Sequence, residues 1–449
     1  MAQPLPAASN IGWAQRRGVA GNLKCAILAA GLGKRLEPLT ARHLPKPLFP
    51  LGGKTPLAEI WVRRMVEAGI TDISMNLCVL AETIERHFGD GSRFGASITY
   101  VKEKTPSGTL GGVCKQALGS EAKTFHNEQP LDVQPFRGST LIAPSGDVVT
   151  NFGADLLEEM YDIHKRMGAA FTLVLNPVPW ERRKDYGTVL LEGVEQRQGL
   201  ISRSGRISDF REKDPDSPSN LNNASIYMLE MDLLRELDAL RTPASLKEPQ
   251  PFYDFGKHVF PTMLGRLPYA KLSREYLLWG IEYDGAWFDV GQKRDYLEVH
   301  RKLLEGELEA DLPLQQQSWG FVGTNTTIHP QAKIVGPSIV GNRCILEAGA
   351  TIGPNAVIGD GWTVGRDAAV KNSVLWERYP YFDESSSELS VAERAKADPH
   401  RIAAGVTIEG SIITGGQIDR NLQECTAHVD TAGKLVVLSI DWVPADPRA

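Results

Sequence analysis

The sequence predicts an α/β domain built on a mostly parallel sheet, followed by a parallel β-helix. Three observations lead there. From residue 24 to about 300, apolar strand-like runs alternate with amphipathic helical patterns, the pattern of a parallel sheet wrapped by helices. A glycine-rich, basic turn follows the first of those runs in "AILAAGLGKRLEPLT". Such a turn after a strand exposes backbone N–H groups that can cradle an anion. Beyond residue 320, branched aliphatic residues recur every six positions, the signature of a solenoid whose aliphatics stack inward.

The elements follow in order. Residues 1–23 lack the basic start and apolar core of a secretory signal and read as a loosely held N-terminal extension. "KCAILAAG" reads as a buried strand, after which Gly31 and Gly33 permit a tight turn and Lys34 and Arg35 add charge. Lys46 adds another charge from a stiff "PKP" segment. "TPLAEIWVRRMVEAGI" predicts a helix with Thr55 as N-cap, Pro56 at its first position and Gly69 closing it. "DISMNLCV", "ASITYVKE", "STLIAPSGDVV" and "AAFTLVLNPV" read as further strands, with helices in "LAETIERHFGD" and "ADLLEEMYDIHKRMG".

The 24–300 unit is thus one domain, bridged by a helix and linker at 301–322 to a solenoid at 323–449. The six-residue period runs through Ile328, Ile334, Val340, Leu346, Ile352, Ile358, Val364 and Val370, and resumes at Ile402 with Val406, Ile412 and Ile418. Between the two runs, residues 376–401 break the period. They contain Ser390 and Glu393 in capping-box spacing, so a projecting loop with a short helix is expected.

Bulk properties narrow the function. A net charge of -6 without a basic stripe argues against nucleic-acid binding. No apolar run of about 18 residues or more predicts a membrane span. Five widely spaced cysteines without a CxxC read as free thiols in a reducing cytoplasm.

Seven segments then bring a family into view. "AILAAGLGKRLEPLT…LPKPLFPLGGK", "EKTPSGTLGG", "SGDVV", "DYGTV", "FREKD", "NNASIYML" and "AWFDVGQKRDYL" resemble, in order and spacing, the motifs of the sugar-1-phosphate nucleotidylyltransferases. The likeness runs from about residue 24 to 425. It implies a Rossmann-like sheet of the nucleotide-diphospho-sugar transferase type and a left-handed parallel β-helix. It also implies attack by a sugar-1-phosphate oxygen on the α-phosphorus of a nucleoside triphosphate, with release of pyrophosphate. That nucleophile is already an anion, so the reaction needs positioning, charge neutralisation and Mg²⁺ rather than a general base.

The resemblance assigns roles residue by residue. Ala29, Ala30, Gly31, Gly33, Arg35, Glu103 and Gly108 would bind the nucleotide, with Arg35 and Lys46 on the phosphates. A guanidinium fork suits that task. Asp147 and Asp289 would hold Mg²⁺. Glu212 and Lys213 would meet the sugar hydroxyls and sugar phosphate, with Asn223 and the Tyr186-Gly187 turn completing the pocket. Arg35, Lys46 and Lys213 are the expected catalytic residues.

Three positions depart from the family pattern. Asp214 stands where proline is usual, Lys34 where a small hydroxyl residue is commoner, and "GTLGG" where Gly-Thr-Ala-Gly is commoner. Glu103 stands where enzymes for thymidine and uridine nucleotides usually carry glutamine. A carboxylate only accepts hydrogen bonds, which suits the paired N–H donors of guanine and leans toward GTP with mannose-1-phosphate. Glucose-1-phosphate with dTTP, UTP or ATP is the alternative, as is a regulatory paralogue that binds nucleotide sugar without turnover. Acyl transfer by the solenoid would want a histidine base, and His329, His400 and His428 are poorly set in the repeat for it. The solenoid is expected instead to cover a domain face and build a homo-oligomer.

Overall fold

A computed structural model describes residues 11–42, 44–119, 133–241, 253–377, 400–430 and 434–443. The loop expected at 376–401 lies almost wholly outside these residues. The first domain is organised on a nine-stranded sheet. Its strands are β1 (Leu23–Leu28), β2 (Asp72–Leu77), β3 (Ser97–Lys102), β4 (Thr140–Pro144), β5 (Phe171–Pro177), β6 (Gly187–Gln196), β7 (Ile201–Glu212), β8 (Leu221–Glu230) and β9 (Leu278–Tyr283). The spatial order is β3-β2-β1-β4-β8-β5-β9-β7-β6. β3, β2, β1 and β4 run parallel. β8 enters antiparallel between β4 and β5, β9 pairs parallel with β5, and β7 and β6 close the edge as antiparallel strands. β1 is apolar apart from Lys24, which is buried and paired with Asp72 at 2.6 Å, because the strand lies inside the sheet and is covered on both faces.

A small antiparallel ribbon of Val148–Thr150 and Trp287–Asp289 stands beyond the carboxyl end of β4. Its register pairs Asp289 with Val148, so Asp147 and Asp289 become neighbours although far apart in the chain. The helix after the signature loop spans Leu57–Ala68 and is closed by Gly69 as expected. Thr55 is not its cap: Thr55–Pro56 pairs with Pro50–Leu51 in a two-residue ribbon, and the threonine hydroxyl donates to the Asp311 carbonyl.

The N-terminal extension is described from residue 11 onward, residues 1–10 lying outside the described residues, and that part is held more firmly than its composition suggests. Trp13 is 2% exposed and packs against Tyr161. Arg17 pairs with Glu158 and Asp162, and Gly12 lies where a Cβ would meet the Gly69 backbone at 2.2 Å. One large aromatic side chain supplies the burial that the surrounding polar residues could not. The helix near the expected linker is Lys293–Leu304. It belongs to the first domain, and residues 305–314 carry the chain without regular structure to the strands Gln315–Gln317 and Gly320–Val322.

The solenoid is a parallel β-helix of three sheets. Ile334 pairs with Ile352 and Ile352 with Val370, so each coil consumes three hexapeptides. Val340, Leu346, Ile352, Ile358, Val364 and Val370 fill its interior. After residue 400 the inward residues are Ile402, Ile408, Ile413 and Ile418, rather than a strict sixfold run. Val406 is buried at a turn, and Ile412 faces the first domain. Spacing contracts to five residues from Ile408 to Ile413 and again from Ile413 to Ile418, the second across Gly415-Gly416, whose φ values of +144° and +100° let that corner close with one residue fewer.

One β-helix face buries Ile339, Val357, Val374 and Ile412 in the same core as Phe49, Tyr296 and Trp376. Trp376 Nε1 donates to Tyr296 Oη at 3.0 Å, which in turn donates to the Pro50 carbonyl at 2.6 Å. Lys54 pairs with the buried Asp360 across the same junction. Trp376→Ala is therefore expected to destabilise the protein by about 3–5 kcal/mol and to uncouple the unfolding of the two domains in calorimetry. A single unchanged transition would contradict this account of the junction.

Candidate active site

The signature loop leaves β1 with Ala29 and Ala30 buried, and Ala29 N donates to Asn76 Oδ1 at 2.9 Å. Gly31 is exposed, with open space where a Cβ would lie. Gly33 differs: its φ is +62° and a Cβ would meet Thr40 Cγ2 at 2.7 Å. Thr40 Oγ1 also donates to the Gly33 carbonyl at 2.9 Å, which pins the turn. Lys34 and Arg35 then stand exposed on a short 3₁₀ turn, Lys34–Leu36. The Arg35 guanidinium reaches back toward Gly291, where a Cβ would lie 3.2 Å from its Nη2 and 3.3 Å from Asp289 Oδ2.

Lys46 is 9% exposed and inserts between the two aspartates, with Nζ 2.5 Å from Asp147 Oδ2 and 3.5 Å from Asp289 Oδ1. Ser145 Oγ donates to the other Asp147 oxygen at 2.5 Å. Burial works against ionisation of Asp147, but the Lys46 ammonium and the Ser145 hydroxyl outweigh it and hold the carboxyl below its usual range. Asp289 goes the other way: burial raises it, and the Asp147 charge adds to the rise while Lys46 opposes it. Lys46 is penalised by burial, yet the paired carboxylates raise it.

One ammonium thus serves two carboxylates, with the Arg35 guanidinium beside Asp289, and the two aspartates present hard oxygen donors to the same space. A hard divalent cation fits that donor set. Among the described residues no group of three or more His, Cys, Asp or Glu could hold a metal, so an ion on Asp147 and Asp289 would complete its shell with water and phosphate.

The second half of the site lies along β6 and β7. Gly187 pairs in register with Glu212, and a Cβ at Gly187 would lie 2.8 Å from Glu212 Oε2. A Cβ at Gly256 would lie 2.7 Å from that same oxygen. Two glycines therefore make room for one carboxylate, whose pKa is raised by burial and then by Asp254. Lys213 follows with φ +53°, and its N–H donates to the Tyr186 carbonyl at 2.9 Å. Asp214 braces this loop without proline: its oxygens accept from Asp216 N at 2.8 Å and from Arg211 Nη1 at 3.2 Å. The Tyr186 ring meets Trp287 edge-on at 5.8 Å, joining this half to the ribbon that carries Asp289.

Two expected contacts are engaged inside the protein. Glu103 has no exposed side-chain surface. Its oxygens accept from Ser107 N at 2.7 Å, Ser107 Oγ at 2.5 Å and Asn76 Nδ2 at 2.8 Å, with Lys115 Nζ at 3.7 Å. A buried carboxylate takes the nearest donors, here those of its own turn, so Glu103 braces the loop instead of presenting an open acceptor. Asn223 donates to Tyr227 Oη at 2.9 Å and accepts from Ser225 N at 3.1 Å, at an irregularity in β8. Gly108 opens the helix Gly108–Leu118 with φ +74°, tight against the Tyr253 carbonyl.

Sequence reading missed Asn76, Ser145 and Gly256. Ser145 stood two residues before Asp147 and was legible as its donor, whereas nothing in the sequence linked Gly256 to Glu212. A separate cavity of about 890 Å³, lined by Arg64, Glu309 and Trp319, contains none of these residues.

The model of the nucleotidyl transferase family matches residues 24–306. The chain belongs to that family. Residues 321–354 match the bacterial transferase hexapeptide repeat. The family resemblance carried by the sequence motifs is therefore borne out, and the protein is a nucleotidyltransferase with a C-terminal hexapeptide domain. Its relatives include a mannose-1-phosphate guanylyltransferase catalytic subunit beta from Danio rerio, 30% identical and covering 72% of this chain and 74% of its own. A UTP–glucose-1-phosphate uridylyltransferase from Synechocystis is 27% identical over 80% of this chain and 88% of its own. A mannose-1-phosphate guanylyltransferase from Mycobacterium tuberculosis is 27% identical over 75% of this chain and 79% of its own. No helix among the described residues is long and apolar enough to cross a membrane.

The two glycines of the nucleotidyl transferase loop give a paired prediction. Gly33→Ala combines a left-handed backbone with a clash, so a loss of roughly 1–2 kcal/mol is expected, with nucleoside triphosphate affinity reduced about tenfold. Gly31→Ala is expected to leave stability unchanged. Denaturant titration and calorimetric binding of both variants check this, and equal behaviour would contradict it.

Proposed function

We propose that the protein is a sugar-1-phosphate nucleotidylyltransferase that makes an NDP-sugar and pyrophosphate, with GTP and mannose-1-phosphate as its substrates. The observation that carries the reaction class is the convergence of Lys46, Asp147, Asp289 and Arg35 beside the signature loop. The choice of substrates is supported by relatives named as mannose-1-phosphate guanylyltransferases. Because the Glu103 carboxylate is occupied by Ser107 and Asn76, the GTP assignment rests on those relatives rather than on Glu103 as a base reader.

The loop backbone at Gly31 and Gly33 approaches the triphosphate, and Arg35 neutralises charge gathering on the departing pyrophosphate. Lys46, tied to two carboxylates and stiffened by its prolines, is pre-aligned to reach a phosphate oxygen. Lys213 binds the sugar phosphate. Glu212, held in its glycine notch, accepts hydrogen bonds from sugar hydroxyls and fixes the acceptor's approach. The attacking phosphate oxygen is already ionised, so no residue has to remove a proton. Asp147 and Asp289 would hold Mg²⁺, which when bound neutralises charge on the phosphates. The protein acts in the cytoplasm as a homo-oligomer built through its β-helix.

The longer match to a uridylyltransferase favours a second pairing, UTP with glucose-1-phosphate. Pyrophosphate release measured with Mg²⁺ across five nucleoside triphosphates and several sugar-1-phosphates decides between them. The expected result is turnover in the GTP row with mannose-1-phosphate, lost at least a hundredfold in Asp147→Asn. A UTP, dTTP or ATP row would overturn the substrate assignment. Silence across the grid with nucleotide sugar still bound would overturn catalysis in favour of a regulatory paralogue.

A further inference from the structure

Lys293 is the first residue of the helix Lys293–Leu304, yet a cation at that end opposes the helix dipole. It is also 2% exposed, an unusual position for lysine without partners. Its partners explain the placement. Nζ donates to the Trp442 carbonyl at 2.5 Å and to the Arg35 carbonyl at 3.3 Å, and lies 5.9 Å from the centre of the Trp442 ring. One ammonium therefore ties the signature loop, at its arginine, to the segment that follows the last described β-helix strand.

That segment is itself anchored. Ile440 is 3% exposed within the core of the first domain, and its N–H donates to the Glu424 carbonyl at 2.8 Å. Arg294 grips Asp441 through two bonds of 2.6 and 2.7 Å and reaches Glu424 at 3.2 Å. On the other side, the Arg35 guanidinium stands beside Asp289 at Gly291. The contacts form one line from the β-helix through Lys293 to the phosphate-binding arginine.

We propose that Lys293 is a positioning residue through which the 440–442 turn of the β-helix domain sets the Arg35 loop for nucleotide transfer. The proposal rests on the nucleotidylyltransferase reading above. The β-helix then does more than cover a domain face: undocking of the 440–442 turn releases Arg35 and lowers activity without touching a substrate.

The test compares Lys293→Met, Lys293→Arg and Arg294→Ala in the full-length protein. Amide hydrogen exchange of the peptide spanning residues 29–38 is followed together with steady-state kinetics in both substrates. Lys293→Met is expected to speed loop exchange and lower kcat by about tenfold each, with KM for the sugar phosphate unchanged and Lys293→Arg restoring most of the loss. Arg294→Ala, an exposed change, is expected to shift both readouts the same way by less, and it decides the matter if Lys293→Met does not fold.

Loop exchange like the wild type in the folded variants would overturn the proposal. So would a fall in kcat accompanied by an equal weakening of both substrates. If the wild-type protein turns over no substrate, the proposed function fails, and the exchange data alone then test the tether.

Discussion

The structure turns on a single ammonium held between two carboxylates. Asp147 leaves the end of a central strand and Asp289 ends a short strand far along the chain, and the antiparallel ribbon brings them together. Without Lys46, two partly buried like charges would repel, so the ribbon and the signature loop stabilise each other. The ribbon is held from several sides: Trp61 Nε1 donates to the Val148 carbonyl at 3.1 Å, Trp287 Nε1 to the Ala224 carbonyl at 2.9 Å, and Thr150 Oγ1 to the Ala286 carbonyl at 2.7 Å. Each of these aims the aspartates without touching them, which is how a surrounding scaffold fixes a reacting geometry.

The β-helix belongs to the same mechanical unit. Its docked face buries aliphatic residues against Phe49, three residues after Lys46, and the Trp376–Tyr296–Pro50 hydrogen-bond chain ends beside that same segment. Lys293 makes a second connection at the loop's other arm. Arg35 and Lys46, the two basic residues of the proposed phosphate site, are therefore each backed by contacts that lead to the solenoid. A domain whose periodic sequence reads as generic packing is joined to the candidate site at two points.

Much of this was legible in the residues. The aliphatic six-residue period exposed the solenoid up to Val370, because inward stacking tolerates few alternatives at those positions. Lys46, Asp147 and Asp289 were legible as a set because their motifs resemble, in order and spacing, those of the sugar-1-phosphate nucleotidylyltransferases, and the structure brings the three together. The illegible parts share one cause: they depend on which distant atoms come near. Glu103 looks like a free acceptor until the turn at Ser107 closes on it. Ile413 replaces Ile412 as the inward residue because the step from Ile408 is five residues rather than six, which turns Ile412 toward the first domain. Trp13 docks because helix Leu57–Ala68 and Tyr161 leave room for it, and Lys293 matters only once Trp442 arrives.

The central claim is that Lys46 occupies one edge of a two-carboxylate metal site. The most direct measurement is a crystal structure with Mn²⁺ and a non-hydrolysable nucleoside triphosphate analogue, read by anomalous scattering. The account predicts an anomalous peak touching both Asp147 and Asp289, with the Lys46 ammonium withdrawn from Asp147 and turned to a phosphate oxygen. A metal bound to the triphosphate alone, with the Lys46–Asp147 pair intact, would contradict it.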